Sequence, residues 1–431
     1  MALIKKYEQS SQWLKRAEKT IPMGSQTFSK SHLVYPKGVS PLFIKRGKGC
    51  QVWDADNNQY TDFVSGLLSI SLGYCDADVD NAVITQMHSG VTFSLPHELE
   101  MIVAEKLVEH IPCAEMVRFG KNGSDATSAA IRLARAYTQK EHVAVCGYHG
   151  WQDWYIGSTT RDLGVPDCVK GLTHKFNYND IESLENIFNK HEEKIAAVIL
   201  EPMNVFYPKN NFLQKIQALT KKHNAVLIFD ETITGFRFHL GGAQSLLNIT
   251  PDLATFGKGM ANGYPISAIT GRKDIMMLME DIFYSGTFGG ETLSLAAANA
   301  TIDKLLSQQV LEHIHSMGIM LMDGLNKLIR KHGGEALFSV SGHPAWSFLL
   351  IAQTDKVTEQ ELSSLFQQEM HRRNILSGSA HNLSFAHKKE HIQTLLSAYD
   401  EIIPLALKVN DEGTFSQYFH GEVSKPVFKV R

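Results

Sequence analysis

Residues 251–270 read "PDLATFGKGMANGYPISAIT". Two apolar runs, 253–257 and 266–270, flank Lys258, which stands between Gly257 and Gly259. Runs that are apolar at nearly every position suit strands buried on both faces. The flanking glycines permit a sharp turn or a close backbone approach. A lysine in a tight, partly buried place is costly unless its amine has a partner or a task. Taken alone, the segment also fits a solvated loop lysine.

Outward from this segment the same pattern recurs. Strand-like runs occupy "MVRFG" (116–120), "HVAVCG" (142–147), "AAVIL" (196–200) and "AVLIFD" (225–230), with helical stretches between them. Alternation of this kind predicts an α/β fold, a mostly parallel central sheet flanked by helices. Residues 61–310 are expected to form this large domain. Residues 1–60 and 311–431 are expected to build a smaller α+β domain, ending in a surface extension. Within it, residues 3–20 read as an amphipathic helix. Residues 42–63 read as short antiparallel strands turning at "DADNNQ", and "AWSFLLIAQ" and "NLSFAH" read as two further strands.

The bulk numbers narrow the function. The chain has 431 residues and a formal net charge of −3, with no basic stripe of the kind that marks a nucleic-acid partner. No apolar run reaches the ~18 residues that span a bilayer, and the apolar part of the opening stretch is too short for a signal peptide. The five cysteines lack CxxC or CxxH spacing, so reduced thiols in a cytoplasmic protein are expected, with no metal site.

In an open α/β sheet, ligands bind beyond the carboxyl ends of the strands. After "MVRFG", Gly123 and Ser124 open a helix whose apolar face is read as Ala126, Ala130, Leu133, Ala134 and Tyr137, with Ser124 or Asp125 as its cap. Such a start offers free N–H groups and a hydroxyl to an anion, although a plain capped helix looks the same. After "HVAVCG" come Tyr148 and His149, which could stack on a flat ligand or pack in the core. Asp230 ends "AVLIFD" at the rim, where it either meets a cation or caps a turn. Lys258 follows 28 residues later. Phosphate cradle, aromatic face, acid and amine are together what pyridoxal phosphate requires.

The segments "GKGCQVWDADNNQYTDFVSG", "MVRFGKNGSDATSAAIRLARAYT", "VILEP", "LIFDETITGFR", "PDLATFGKGMANGYPISAITG" and "YSGTFGGETLSLAAA" resemble those of the class III aminotransferases, which have the fold type I architecture. Within that family the chain is most similar to the glutamate-1-semialdehyde 2,1-aminomutase branch, from about residue 20 to 405. The resemblance implies that Lys258 carries the cofactor as an internal aldimine and that Asp230 pairs with its pyridine nitrogen. It also implies that Gly123 and Ser124 hold the phosphate, that Tyr148 stacks on the ring and that Thr232 takes the place of a valine on the other face. Glu201 would support the cofactor site. Thr287 would reach the cofactor phosphate of a second subunit in a homodimer with shared active sites.

Departures from the aminomutase pattern fall on substrate positions. Leu67 stands where that branch has tryptophan. The stretch "LSGSAHNLSF" has Ser377, Ser379 and His381 but no acid. Lys121 and Asn122 replace Asn-Ser, and Lys30 stands about where an arginine would hold a substrate carboxylate. The expected activity is therefore intermolecular transamination between an amine donor and a carbonyl acceptor. An intramolecular aminomutase and a non-catalytic relative are the alternatives.

Overall fold

The computed structural model describes residues 6–378 and 380–425. The described residues divide into two compact units, residues 77–311 and a second made of residues 6–76 together with 312–425. The first crossing lies at Asp76, beyond the boundary near residue 60 that the sequence pattern suggests, because the strand that ends at Asp62 pairs inside the smaller unit.

The smaller unit begins with β1 (Ile44–Lys48), β2 (Gln51–Asp54) and β3 (Gln59–Asp62), antiparallel in succession. The larger unit carries β4 (Met116–Gly120), β5 (His142–Cys146), β6 (Thr173–Lys175), β7 (Ile195–Leu200), β8 (Val226–Asp230), β9 (Leu253–Phe256) and β10 (Ser267–Gly271). The chain then returns to the smaller unit with β11 (Phe338–His343), β12 (Trp346–Ile351), β13 (Ile375–Leu376) and β14 (Ala380–Asn382).

The seven strands of the larger unit pair in the order β4-β10-β9-β8-β7-β5-β6. Neighbours from β9 across to β6 are parallel, and β10 runs antiparallel to both β9 and β4. Side chains alternate across such a sheet, so both parities of each central strand must be apolar. Ala197, Ile199, Val226 and Ile228 face one core with the helix Gly123–Thr138. Val198, Leu200, Leu227 and Phe229 face another with Leu184, Phe188, Phe212 and Ile216. Each such aliphatic or aromatic side chain contributes roughly 1.5–3 kcal/mol on burial. The small residues Ala126, Ala130 and Ala134 are fully buried and let the helix approach the sheet. Tyr137, expected on that face, is 41% exposed instead. It lies in the last turn, and its hydroxyl donates to Asp274 at 3.0 Å.

In the smaller unit, β1-β2-β3-β13 form one sheet and β11-β12-β14 another. The N-terminal helix spans Glu8–Ala17, and residues 3–5 of the expected 3–20 helix lie outside the described residues. Ser379 and the end of the expected extension, 426–431, lie outside them too. Of "NLSFAH" only Asn382 is strand. The rest is a turn closed by Ser384 N donating to His387 Nδ1 at 2.9 Å and His387 N donating to the Ser384 carbonyl at 3.0 Å. Leu67 is half-buried in a turn where Ser65, Leu67 and Leu68 all hold positive φ.

Candidate active site

The parallel strands β9, β8, β7 and β5 are consecutive neighbours, so their carboxyl ends open on one edge. There the chain places Lys258 after β9, Asp230 at the end of β8, Glu201 after β7 and Tyr148 and His149 after β5. β10 runs the other way and pairs Ser267 with Gly120, bringing the end of β4 and the following helix to the same edge.

Asp230 is 5% exposed and saturated with donors. Its Oδ1 accepts from Thr232 Oγ1 at 2.6 Å, Thr255 Oγ1 at 3.1 Å and Thr232 N at 3.2 Å. Its Oδ2 lies 2.8 Å from His149 Nδ1, and His149 Nε2 lies 3.1 Å from the Cys146 carbonyl. Burial pushes the Asp230 carboxyl up, but the hydrogen bonds from His149 and Thr232 and the His149 charge outweigh it and hold the carboxyl below its ordinary value.

Lys258 is half-buried and takes φ +41°, in the left-handed region, directly after the extended Gly257. Such a conformation costs a non-glycine residue roughly 1–2 kcal/mol. Among the described residues its amine makes no hydrogen bond or ion pair. Burial lowers its pKa, opposed by the charges of Glu201 and Asp230 and reinforced by Arg237. Glu201 is buried, and its Oε1 accepts from Tyr148 N at 2.8 Å. Burial raises its pKa, with the Asp230 charge adding to the effect.

The helix after β4 begins at Gly123, with Asn122 as N-cap; Asp125 Oδ2 accepts from Asn122 N at 2.8 Å. Neither Ser124 nor Asp125 is the cap, because the helix starts at Gly123, two residues before a Ser124 cap and three before an Asp125 cap would start it. The Gly123 and Ser124 amides precede any intrahelical acceptor and are open to an anion. Ser124 Oγ accepts from Trp151 N at 3.3 Å. A Cβ at Gly123 would come within 3.2 Å of Thr232 Cγ2, so Thr232 stands at the mouth of the same helix. Tyr148 is 46% exposed, with its ring edge-on to Tyr155 at 5.7 Å.

Two further residues of the expected site are exposed. Thr287 is exposed in the loop before the helix Thr292–Ser307. Lys30 is exposed at the end of a short 3-10 turn in the smaller unit. Sequence reasoning missed three residues of the site: the hydrogen-bonding role of His149, Thr255 inside an apolar run, and the fully buried Arg237, whose pKa burial lowers to about 10.

The donor set fits pyridoxal phosphate. Open amides and a hydroxyl suit its phosphate, and an exposed aromatic face suits its ring. An ionised buried carboxylate suits a protonated ring nitrogen, and an unpaired amine suits its aldehyde. The gap above the helix start persists only because Gly123 has no side chain.

The chain belongs to the class III aminotransferases: the model of that family, "Aminotransferase class-III", matches residues 34–364. It is a pyridoxal-phosphate-dependent enzyme of fold type I. It is similar, at 33% identity over 93% of its own length and 98% of the relative's, to 3-aminobutyryl-CoA aminotransferase of Cloacimonas acidaminovorans. It shares 39% identity with glutamate-1-semialdehyde 2,1-aminomutase of Syntrophobacter fumaroxidans over 67% of this chain and 71% of that one. Among solved structures it resembles the PLP internal aldimine form of the FumI protein of Sphingopyxis sp. MTA144. That match has TM-score 0.86 and 28% identity, and covers 93% of this chain and 97% of the other. An omega-transaminase from Sphaerobacter thermophilus matches with TM-score 0.84 at 26% identity, over 92% and 98% of the two chains.

Proposed function

We propose that this chain is an intermolecular aminotransferase in which Lys258 is the catalytic base and Asp230 the acid that pairs with the cofactor's ring nitrogen. The observation that carries it is the convergence of both residues at one sheet edge, with Asp230 ionised by its donors and Lys258 left free of them. When bound, pyridoxal phosphate supplies an aldehyde that takes the substrate amine and a ring that accepts the electron pair released at the substrate carbon. Gly123 and Ser124 would hold the phosphate, Tyr148 one ring face and Thr232 the other. Glu201 fixes the Tyr148 backbone through its 2.8 Å hydrogen bond. Lys258 Nζ, with its pKa lowered by burial, takes and returns the substrate proton.

The donor amine need not be α to a carboxylate. Two transaminase relatives that span more than nine-tenths of this chain, the 3-aminobutyryl-CoA aminotransferase and the omega-transaminase, are named for β- or ω-amines. Lys30 is proposed to meet a substrate carboxylate as a point charge, which constrains geometry less than an arginine fork. The aminomutase reading rests on the relative that is 39% identical over 67% of the chain. The acid-free stretch 376–385 speaks against it.

A cytoplasmic homodimer with shared sites is the proposed assembly. Met87, Val91, Phe93, Leu95 and Met101 are exposed, as are Phe283 and Phe288 on either side of Thr287. The two stretches adjoin, since Thr292 N donates to the Val91 carbonyl at 2.9 Å. Apolar exposure on this scale marks an interface, from which Thr287 would reach the partner's cofactor phosphate. The five cysteines are free. No helix among the described residues is long and apolar enough to cross a membrane.

The test is a half-reaction screen of α-, β- and ω-amines against the loaded enzyme, following the cofactor's visible band and the keto product. Bleaching of the band with release of a distinct keto compound supports the reading. An isomerised amine with no keto release would replace it with the mutase.

A further inference from the structure

Far from the strand ends that form the active site, three histidines meet. His142 opens β5, His174 is the middle residue of the edge strand β6, and His191 follows the helix Ile181–Lys190. His174 pairs with Ala144, so His142, Ala144 and His174 share the sheet face that this helix covers through Leu184 and Phe188. One ring nitrogen from each histidine lies within 4.8 Å of the other two. His142 Nδ1 and His174 Nε2 are 2.8 Å apart, and the His191 ring stacks on His174 with centroids 4.0 Å apart.

We propose that His142, His174 and His191 form a binding site for a borderline divalent transition ion such as zinc. Tetrahedral zinc with Zn–N bonds of about 2.0–2.1 Å sets its nitrogens about 3.3 Å apart. That value lies between the observed 2.8 Å of one pair and the 4.8 Å that bounds all three. Imidazole is the ligand type such ions favour. All three rings are half-buried, so they are held in place yet reachable. His174 and His191 line an open cleft of ≈ 550 Å³, with Ser158 and Asn186 among its walls, leaving the fourth position to water.

Bound there, the ion ties the three-residue strand β6 and the end of the helix to β5. The site lies one strand length, about 13 Å, from the end of β5 that leads to His149. Its role is therefore structural, and it stands apart from the aminotransferase reading. To test it, the full-length holoenzyme is stripped with EDTA and titrated calorimetrically with zinc alone, beside His174→Gln and His191→Asn. The expected result is one saturable site per chain, weakened at least about tenfold in each variant, with transamination retained. X-ray absorption of the zinc-loaded wild type should show imidazole and oxygen ligands without sulfur, which decides the matter even where a variant fails to fold. Equal affinity in wild type and variants, sulfur ligation, or no saturable binding would overturn it.

Discussion

His149 stands between two oxygens: its Nδ1 lies 2.8 Å from Asp230 Oδ2 and its Nε2 lies 3.1 Å from the Cys146 carbonyl. The ring thus ties the carboxylate of one strand end to the backbone of another. Both residues are buried, at 1% and 5% exposure. Removing one partner of a buried pair costs about 3–5 kcal/mol. Asp230 keeps its threonine donors, so His149→Leu is expected at the lower end, about 3 kcal/mol. Urea unfolding of the variant and the parent measures it, and a loss under about 0.5 kcal/mol would show that the pair carries no such coupling.

Thr232 offers a finer probe of the same carboxylate. Valine keeps its shape against Gly123 but removes the hydroxyl that donates to Asp230 Oδ1 at 2.6 Å. A hydrogen bond to a charged group is worth about 1.5–3 kcal/mol. The folded-state pKa of Asp230 is depressed, so its contribution is present above the unfolded value of about 3.9 and is lost as pH falls through the folded value. Thr232→Val lessens that depression. Its deficit should be full at pH 7 and shrink toward pH 3, as read by thermal unfolding at both. A deficit independent of pH would mean that the hydroxyl does not act through Asp230.

Gly150 separates strain from packing. It holds φ +109°, and a Cβ there would stand 2.3 Å from Ser124 Oγ and 2.8 Å from Ser124 Cβ. Overpacking costs about 1–3 kcal/mol, and a side chain in an unfavourable backbone region costs a similar amount. Gly150→Ala should lose about 2–4 kcal/mol in urea unfolding. Adding Ser124→Gly should restore the packing part and leave the strain part, a coupling that a double-mutant cycle reads directly. Strict additivity of the two changes would place the clash elsewhere.

What could be read from the chain was what lies along it. "MVRFG" is β4 from end to end, and Asp230 and Lys258 announced themselves by following long apolar runs. What could not be read depends on distant partners. The bond from His149 to Asp230 joins residues 81 apart, and Thr255 hides its donor within an apolar strand. β6 is three residues, Thr-His-Lys, with no apolar pattern, and exists because β5 offers it an edge. The same holds for His142, His174 and His191, whose spacing matches no metal motif and which meet only when β5, β6 and the following helix pack. Tyr137 kept the helical period but fell in the last turn, where the helix outruns its core.

Lys258 joins stability to rate through one proton. Burial lowers its pKa, Arg237 adds to the lowering, and the charges of Glu201 and Asp230 only partly oppose them. In the unfolded chain the amine titrates near 10.4. Between the folded value and about 10.4 the unfolded state binds more protons, so stability rises with pH across that window. The charged lysine therefore destabilises the cofactor-free fold below its folded pKa, and the effect is gone above about 10.4. Lys258→Met should be more stable than the parent at pH 7 without cofactor, and the gap should close as pH approaches 10. With the same amine as the proposed base of the loaded enzyme, turnover should rise with pH along a limb whose midpoint lies below about 10.4. Lys258→Ala should lose at least about 10²–10⁴-fold in turnover. A limb centred at or above the free-lysine value, or a methionine variant less stable than the parent at pH 7, would show that the fold does not lower this amine's pKa and would remove the physical basis for its role as base.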